Sequence, residues 1–196
     1  MADFSRPARP GAAHFEALPG GEDPAERTAA GHRIANLLVR GAHDREDQAM
    51  VDRVLHLADT EGLGVIADLW SAAPADTVAG SLWRLYLLRT WVHRQPDQAA
   101  REFATGRAFA PVQEMLAGVV EPPGPDEVVD LVDALVRGIL APDFDIVLDR
   151  AAAFAHVVGV GRGQMDESDA ASAARLVDTA RQLRLAAESE RRGDLH

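Results

Sequence analysis

The chain has 196 residues, of which 47% are hydrophobic, no cysteine and a formal net charge of −11. Its length and composition predict one globular, soluble domain, since no apolar run could span a bilayer and no secretory signal opens the sequence. Without cysteine or lysine, disulfides, thiol catalysis, Schiff-base chemistry and a P-loop are excluded. We expect a cytoplasmic protein, and the acidic total argues against direct nucleic-acid or membrane binding.

Helix signals follow one another from the N-terminal side onward. Residues 1–21, rich in Pro, Gly and Ala, predict a flexible N-terminal arm. The first helix is predicted to begin at Pro24 and to end before Gly41. A second helix is predicted between Asp44 and Gly62, and a short third segment follows it.

The most aromatic segment predicts a central helix at residues 76–95, which ends before Pro96. Its apolar residues occupy almost all directions of a helical wheel, a pattern typical of a buried helix. Its arginines point to different sides, so it predicts neither a basic nucleic-acid face nor an interfacial membrane helix. Its one ordered polar strip is formed by Tyr86, Arg89 and His93 at i, i+3, i+7.

The second half of the chain predicts further helices. The two-residue joint Ala141–Pro142 predicts that the helix before it and the helix after it form an antiparallel hairpin. The predicted ranges are 97–105, 111–117, about 126–140 and about 144–158.

A glycine-rich run, Gly159-Val160-Gly161-Arg162-Gly163, follows these helices. We predict that it ends a helix and forms a hinge near 159–167, before a final helix at about 168–191. Its glycine spacing and the absence of a preceding strand argue against a phosphate-binding loop. No strand pattern occurs, so the sequence predicts a compact all-α bundle of seven to nine helices, with residues 22–196 as a single domain.

One candidate metal site lies on the second helix. Asp52, His56 and Asp59 follow each other at i, i+4, i+7, so one face presents two carboxylates and an imidazole. The apolar stripe of this helix lies roughly opposite, and a solvated face is therefore the simpler interpretation. Asp145, Asp149 and His156 form a similar stripe, but Asp149 and His156 lie two turns apart and could hardly share an ion. No cofactor motif occurs, and we expect no cofactor.

A candidate ligand site is centred on the aromatic helix. Its polar strip and the nearby indoles could wall a cavity for an anionic, partly apolar small molecule. Alternatively, these polar side chains are paired within the core, with acidic residues of 126–149 as their partners. The candidate ligand-binding residues are Trp70, Trp83, Tyr86, Arg89, Trp91 and His93.

The functional expectation follows from motifs that are missing. The serines lie in no nucleophile motif, and no two carboxylates are paired persuasively, so the sequence favours a protein that is not an enzyme. We therefore expect a helical protein that acts through protein–protein interaction or regulation and self-associates as a homo-oligomer. The alternative is a small-molecule-binding helical domain, and a metal-dependent enzyme is the third hypothesis.

Overall fold

Seven α-helices and one short 3-10 helix make up the described structure, a computed structural model that describes residues 24–41, 44–109, 125–126, 130, 144–165 and 170–196. No strand occurs among these residues, and the predicted all-α bundle is confirmed. None of the described helices is both long and apolar enough to cross a lipid bilayer. The helices are α1 (Pro24–Arg40), α2 (Arg45–Glu61), α3 (Leu63–Ala67) with the 3-10 helix Asp68–Trp70, α4 (Val78–Arg94), α5 (Pro96–Phe109), α6 (Phe144–Met165) and α7 (Ala170–Arg192).

Some predicted segments lie outside the described residues. They are the arm at 1–21, the helix at 111–117, most of the helix at 126–140 and the joint at 141–142.

Local signals set the helix ends in the first half of the chain. Gly41 and Gly62 follow α1 and α2 with φ of +84° and +89°, a left-handed conformation that glycine adopts without strain. The carboxylate of Asp44 accepts hydrogen bonds from two backbone N–H groups of the first turn of α2. The hydroxyl oxygen of Thr77 likewise accepts from the backbone N–H of Gly80, 3.0 Å away, and caps α4. These boundaries match the predicted ones closely.

Helix α4 is central to the bundle, as the sequence predicted. It contacts α1, α3, α5, α6 and α7, and its buried residues include Leu82, Leu85 and Leu88. The main core joins these leucines to Phe144 and Leu183 from α6 and α7. A second apolar cluster, around Phe154, Phe103 and Val92, lies where α4, α5 and α6 meet.

The glycine run is not the start of a hinge, because α6 continues through it to Met165. A Cβ on Gly161 would lie 1.8 Å from the backbone oxygen of Glu102, and one on Gly106 would lie 1.8 Å from that of Val157. These two glycines therefore let α5 and α6 cross with their backbones in contact. The predicted helix end at 159 is wrong because close packing outweighs the low helix propensity of glycine, about 1 kcal/mol per residue. Residues 166–167 of the predicted hinge lie outside the described range.

Candidate functional site

A cleft of about 280 Å³ opens between α4 and α7, with Arg162 of α6 in its lining. Each of the two helices contributes a stripe at i, i+3, i+4, i+7, the spacing that places side chains on one helix face. Each stripe combines polar and apolar side chains. The α4 stripe is Arg84, Leu87, Leu88 and Trp91, and the α7 stripe is Ser172, Arg175, Leu176 and Thr179.

Arg84 is held in place by neutral groups. Its Nη1 donates to the carbonyl oxygen of Gly80 at 2.7 Å, and its Nε donates to the amide oxygen of Gln182. Among the described residues, its Nη2 has no hydrogen bond and its guanidinium has no salt bridge. Burial lowers the pKa of the Arg84 guanidinium, while the carboxylates of Asp178 and Asp76 raise it less. The group stays charged, so the cleft contains a half-buried cation that no carboxylate contacts in the described part of the chain.

Arg162 connects four helices at one end of the cleft. Its Nε and Nη2 donate to the two carboxylate oxygens of Glu102 at 3.0 and 2.8 Å, and this pair is almost fully buried. Its Nη1 donates to the hydroxyl oxygen of Ser172 at 2.7 Å, and the guanidinium carbon lies 5.0 Å from the centre of the Trp91 ring system. Glu102 neutralises this arginine, so Arg162 fixes the shape of the cleft more than its charge.

The remaining polar groups are mostly donors. The hydroxyl of Thr179 donates to the carbonyl oxygen of Arg175 at 2.9 Å, so its proton is already used. Ser172 accepts from Arg162, and its own hydroxyl proton has no acceptor among the residues that the structure describes. Arg175 is exposed, and among the described residues its guanidinium has no salt bridge. No carboxylate belongs to the cleft lining in the described part of the chain, so the cleft suits an acceptor-rich, negatively charged group.

The predicted ligand residues are only partly brought together. Trp91 lines the cleft, whereas Trp70 is buried in the core and donates from Nε1 to the carbonyl oxygen of Gly31 at 3.0 Å. Trp83 and Tyr86 stack on each other with ring centroids 5.7 Å apart and pack against the main core. These three aromatic residues therefore do not line the cleft.

The predicted polar strip lies on the other side of α4. Tyr86, Arg89 and His93 fall roughly opposite the Arg84–Trp91 stripe, given about 100° of rotation per residue. Arg89 is half-buried and His93 is exposed, and neither lines the cleft. Of the predicted ligand residues, Trp91 therefore belongs to the described cleft, and a ligand site on the Tyr86, Arg89 and His93 strip stays a prediction.

Two of the acidic residues expected as partners, Asp145 and Asp149, lie in the described part of 126–149 and have known ion pairs. Asp145 and Asp149 form ion pairs with Arg191 of α7, the first of them at 3.0 Å, and neither pairs with an arginine of α4. These two carboxylates are paired with α7 because α6 and α7 run side by side, and the expectation for the other acidic residues of this segment stays a prediction. Most of residues 126–143 lies outside the described structure.

The candidate metal site is only partly described. Asp52 and His56 are exposed on α2, and the carboxylate of Asp52 accepts a hydrogen bond from Gln48 Nε2 at 2.9 Å. The side chain of Asp59 lies outside the described residues. Within the described part, no three histidine or acidic side chains are grouped to hold a metal ion, and this site stays a prediction.

A second concave surface lies between α1 and α2. This groove has a volume of about 550 Å³, and its walls are mainly apolar. Two arginines border it, and one of them, Arg33, forms an exposed ion pair with Asp47 at 3.1 Å. The lining comprises Ala29, Ala30, Arg33, Ile34, Met50, Arg53, Val54 and Leu57.

Comparison of the chain with protein-family models, with curated proteins and with solved structures gives no match.

Proposed function

We propose that the chain is a small-molecule-binding helical domain and that its site is the cleft between α4 and α7. The ligand carries a negative charge and an apolar part. The observation that carries the proposal is Arg84, a half-buried guanidinium that is paired only with neutral groups among the described residues. A buried cation without a counter-ion is costly, and an anionic ligand would remove that cost.

The surroundings of Arg84 support this assignment. Arg175 supplies a second cation from the facing helix, and Ser172 supplies a hydroxyl donor. Leu87, Leu88 and Leu176 form an apolar wall beside these donors. Small-molecule sites in proteins commonly combine a mostly apolar lining with a few converging polar groups, in pockets of about 300 Å³ or more.

Calorimetric titration with three amphipathic anions tests the proposal: octanoate, 1-naphthoate and octyl phosphate. We expect at least one of them to bind the purified protein with a single saturable site. The Arg84→Gln variant should lose about 10-fold to 100-fold in affinity, since a hydrogen bond to a charged group contributes about 1.5–3 kcal/mol. Arg175→Gln should also weaken binding, and this exposed residue can change with little effect on folding.

Arg150→Gln is the matched control, because Arg150 is exposed on α6 outside the cleft and its loss changes the net charge by the same amount. It should leave the affinity unchanged. Equal losses in the Arg84, Arg175 and Arg150 variants would indicate nonspecific attraction of anions and would contradict the proposal. Absence of binding by all three anions would also contradict it.

Protein–protein interaction, the function expected from the sequence, is the second candidate. The apolar groove between α1 and α2 favours it, with Arg33 and Arg53 on its border. Such a groove suits an amphipathic partner helix whose apolar stripe is flanked by acidic residues. A synthetic amphipathic helix flanked by glutamates should bind more tightly than the same helix flanked by lysines. Equal binding of the two peptides would count against it.

Self-association is tested separately by light scattering over a range of protein concentrations. A constant mass equal to one 21.0 kDa chain would contradict the expected homo-oligomer.

A further inference from the structure

We propose that the ligand of the α4–α7 cleft is an aliphatic monocarboxylate with a chain of roughly six to eight carbons. This inference rests on the proposed function and specifies the chemistry of its ligand.

The polar groups of the cleft match a carboxylate. The available donors are Nη2 of Arg84, the hydroxyl of Ser172 and the guanidinium of Arg175, which can reach two acceptor oxygens from two sides. One negative charge is favoured over two, because Arg84 is half-buried and has no carboxylate partner among the described residues, whereas the second cation, Arg175, is exposed. A monoanion supplies the counter-ion that Arg84 lacks among the described residues, whereas the second charge of a dianion would have no half-buried cation to pair with.

The apolar part of the cleft favours an aliphatic chain over an aromatic ring. Arg162 lies over the Trp91 ring at 5.0 Å, and Phe154 packs against the same indole at 6.5 Å between ring centroids. Trp91 is therefore already engaged and offers little face for stacking. The remaining apolar surface comes from leucines, and Leu87 is 46% exposed although it lies on the central helix. A flexible chain would cover this side chain and remove it from water.

The volume of the cleft limits the length of the chain. A space of about 280 Å³ holds roughly nine groups the size of a water molecule, at about 30 Å³ each. A carboxylate takes the place of two or three of them, which leaves room for about six or seven methylene or methyl groups. Longer chains would extend into solvent and gain no further contact.

The test is calorimetric titration of the whole protein with butanoate, hexanoate, octanoate, decanoate and dodecanoate, below their micelle concentrations. Affinity should rise by about fourfold per added methylene, since burial of each methylene is favourable by about 0.8 kcal/mol. The rise should stop near octanoate. Octanol and octyltrimethylammonium should bind at least tenfold more weakly than octanoate, because they lack the carboxylate.

Two leucine variants locate the chain within the cleft. Leu87→Ala should weaken octanoate binding by about tenfold while affecting butanoate less, because only the longer ligand covers this side chain. Leu185→Ala is the matched control, since Leu185 is 50% exposed on α7 and lies outside the cleft lining. It should leave both affinities unchanged.

Several outcomes would overturn the inference. An affinity that keeps rising through dodecanoate would show that the cleft does not limit the chain, and equal binding of octanol would show that the carboxylate is not recognised. Tighter binding of octyl phosphate or 1-naphthoate, lost in Arg84→Gln, would replace the ligand class but leave the proposed function standing. Absence of binding by all of these anions would remove both.

Discussion

The crossing of α5 and α6 predicts opposite effects for two glycine substitutions that lie two residues apart. Gly161 faces the backbone of α5, where a Cβ would lie 1.8 Å from the carbonyl oxygen of Glu102. Gly163 lies on the same helix, but the one described contact of a Cβ there would be the side chain of Ala173 at 3.6 Å, an ordinary van der Waals distance. The two positions therefore separate helix propensity from helix packing.

Both substitutions gain the helix propensity of alanine, about 1 kcal/mol relative to glycine. In Gly163→Ala this gain is unopposed, so the variant should be more stable than the wild type by about 0.5–1 kcal/mol. In Gly161→Ala the two helices must separate by more than an ångström. That movement disturbs the Phe103–Phe154 stack, whose ring centroids are 5.6 Å apart. We expect a net destabilisation of about 1–3 kcal/mol, typical of an overpacked core.

Urea unfolding followed by circular dichroism measures both free energies of unfolding with one protocol. The expected result is a lower midpoint for Gly161→Ala and a higher midpoint for Gly163→Ala. Similar stabilisation of both variants would refute the close crossing. It would instead agree with a segment free of contacts, such as the hinge that the glycine run suggested.

Two further predictions concern single side chains. Removing one partner of the buried Glu102–Arg162 pair by Glu102→Ala should cost about 3–5 kcal/mol of unfolding free energy, and the neutral Glu102→Gln should cost less; equal, small effects in urea unfolding would argue against a buried pair. Thr77→Ala removes the hydroxyl that caps α4 and should cost about 1 kcal/mol, whereas Thr77→Ser should cost a fraction of that. An unchanged melting midpoint in Thr77→Ala would contradict the capping role.

The helix ends could be predicted because their causes are local. Gly41 and Gly62 adopt a left-handed conformation directly after a helix, and Pro96 opens α5 where α4 has ended. Asp44 and Thr77 provide capping oxygens within three residues of the N–H groups that they accept from. A sequence shows all of these residues in the order in which they act.

The prediction that a helix ends at the glycine run was wrong, because these glycines are needed for contacts with helices that are distant in the sequence. Gly159, Gly161 and Gly163 reduce helix propensity, and the sequence alone therefore indicates a helix end. In the structure, Gly161 permits contact with α5, and a Cβ on Gly159 would lie 2.9 Å from a methyl group of Val177 in α7. Only the positions of two other helices explain why small residues are needed here.

The cleft could be predicted in part. Each of its stripes is visible in the sequence, Arg84 to Trp91 on one helix and Ser172 to Thr179 on another, at helical spacing. The sequence does not show that these stripes face each other across about 80 residues of chain, because that depends on how α4 and α7 both pack against α6. The predicted ligand site was centred on the strip of Tyr86, Arg89 and His93, which lies on the opposite side of α4.

The most direct test of the proposed site is ¹⁹F NMR of protein labelled with 5-fluorotryptophan. The chain has three tryptophans, so the spectrum should contain three resonances that single Trp→Phe variants can assign. On titration with octanoate, the Trp91 resonance should shift and saturate. The Trp70 resonance should not move, because this side chain is 3% exposed and its indole N–H is hydrogen-bonded to the carbonyl oxygen of Gly31. Shifts of Trp70 or Trp83 with an unchanged Trp91 would contradict a site between α4 and α7.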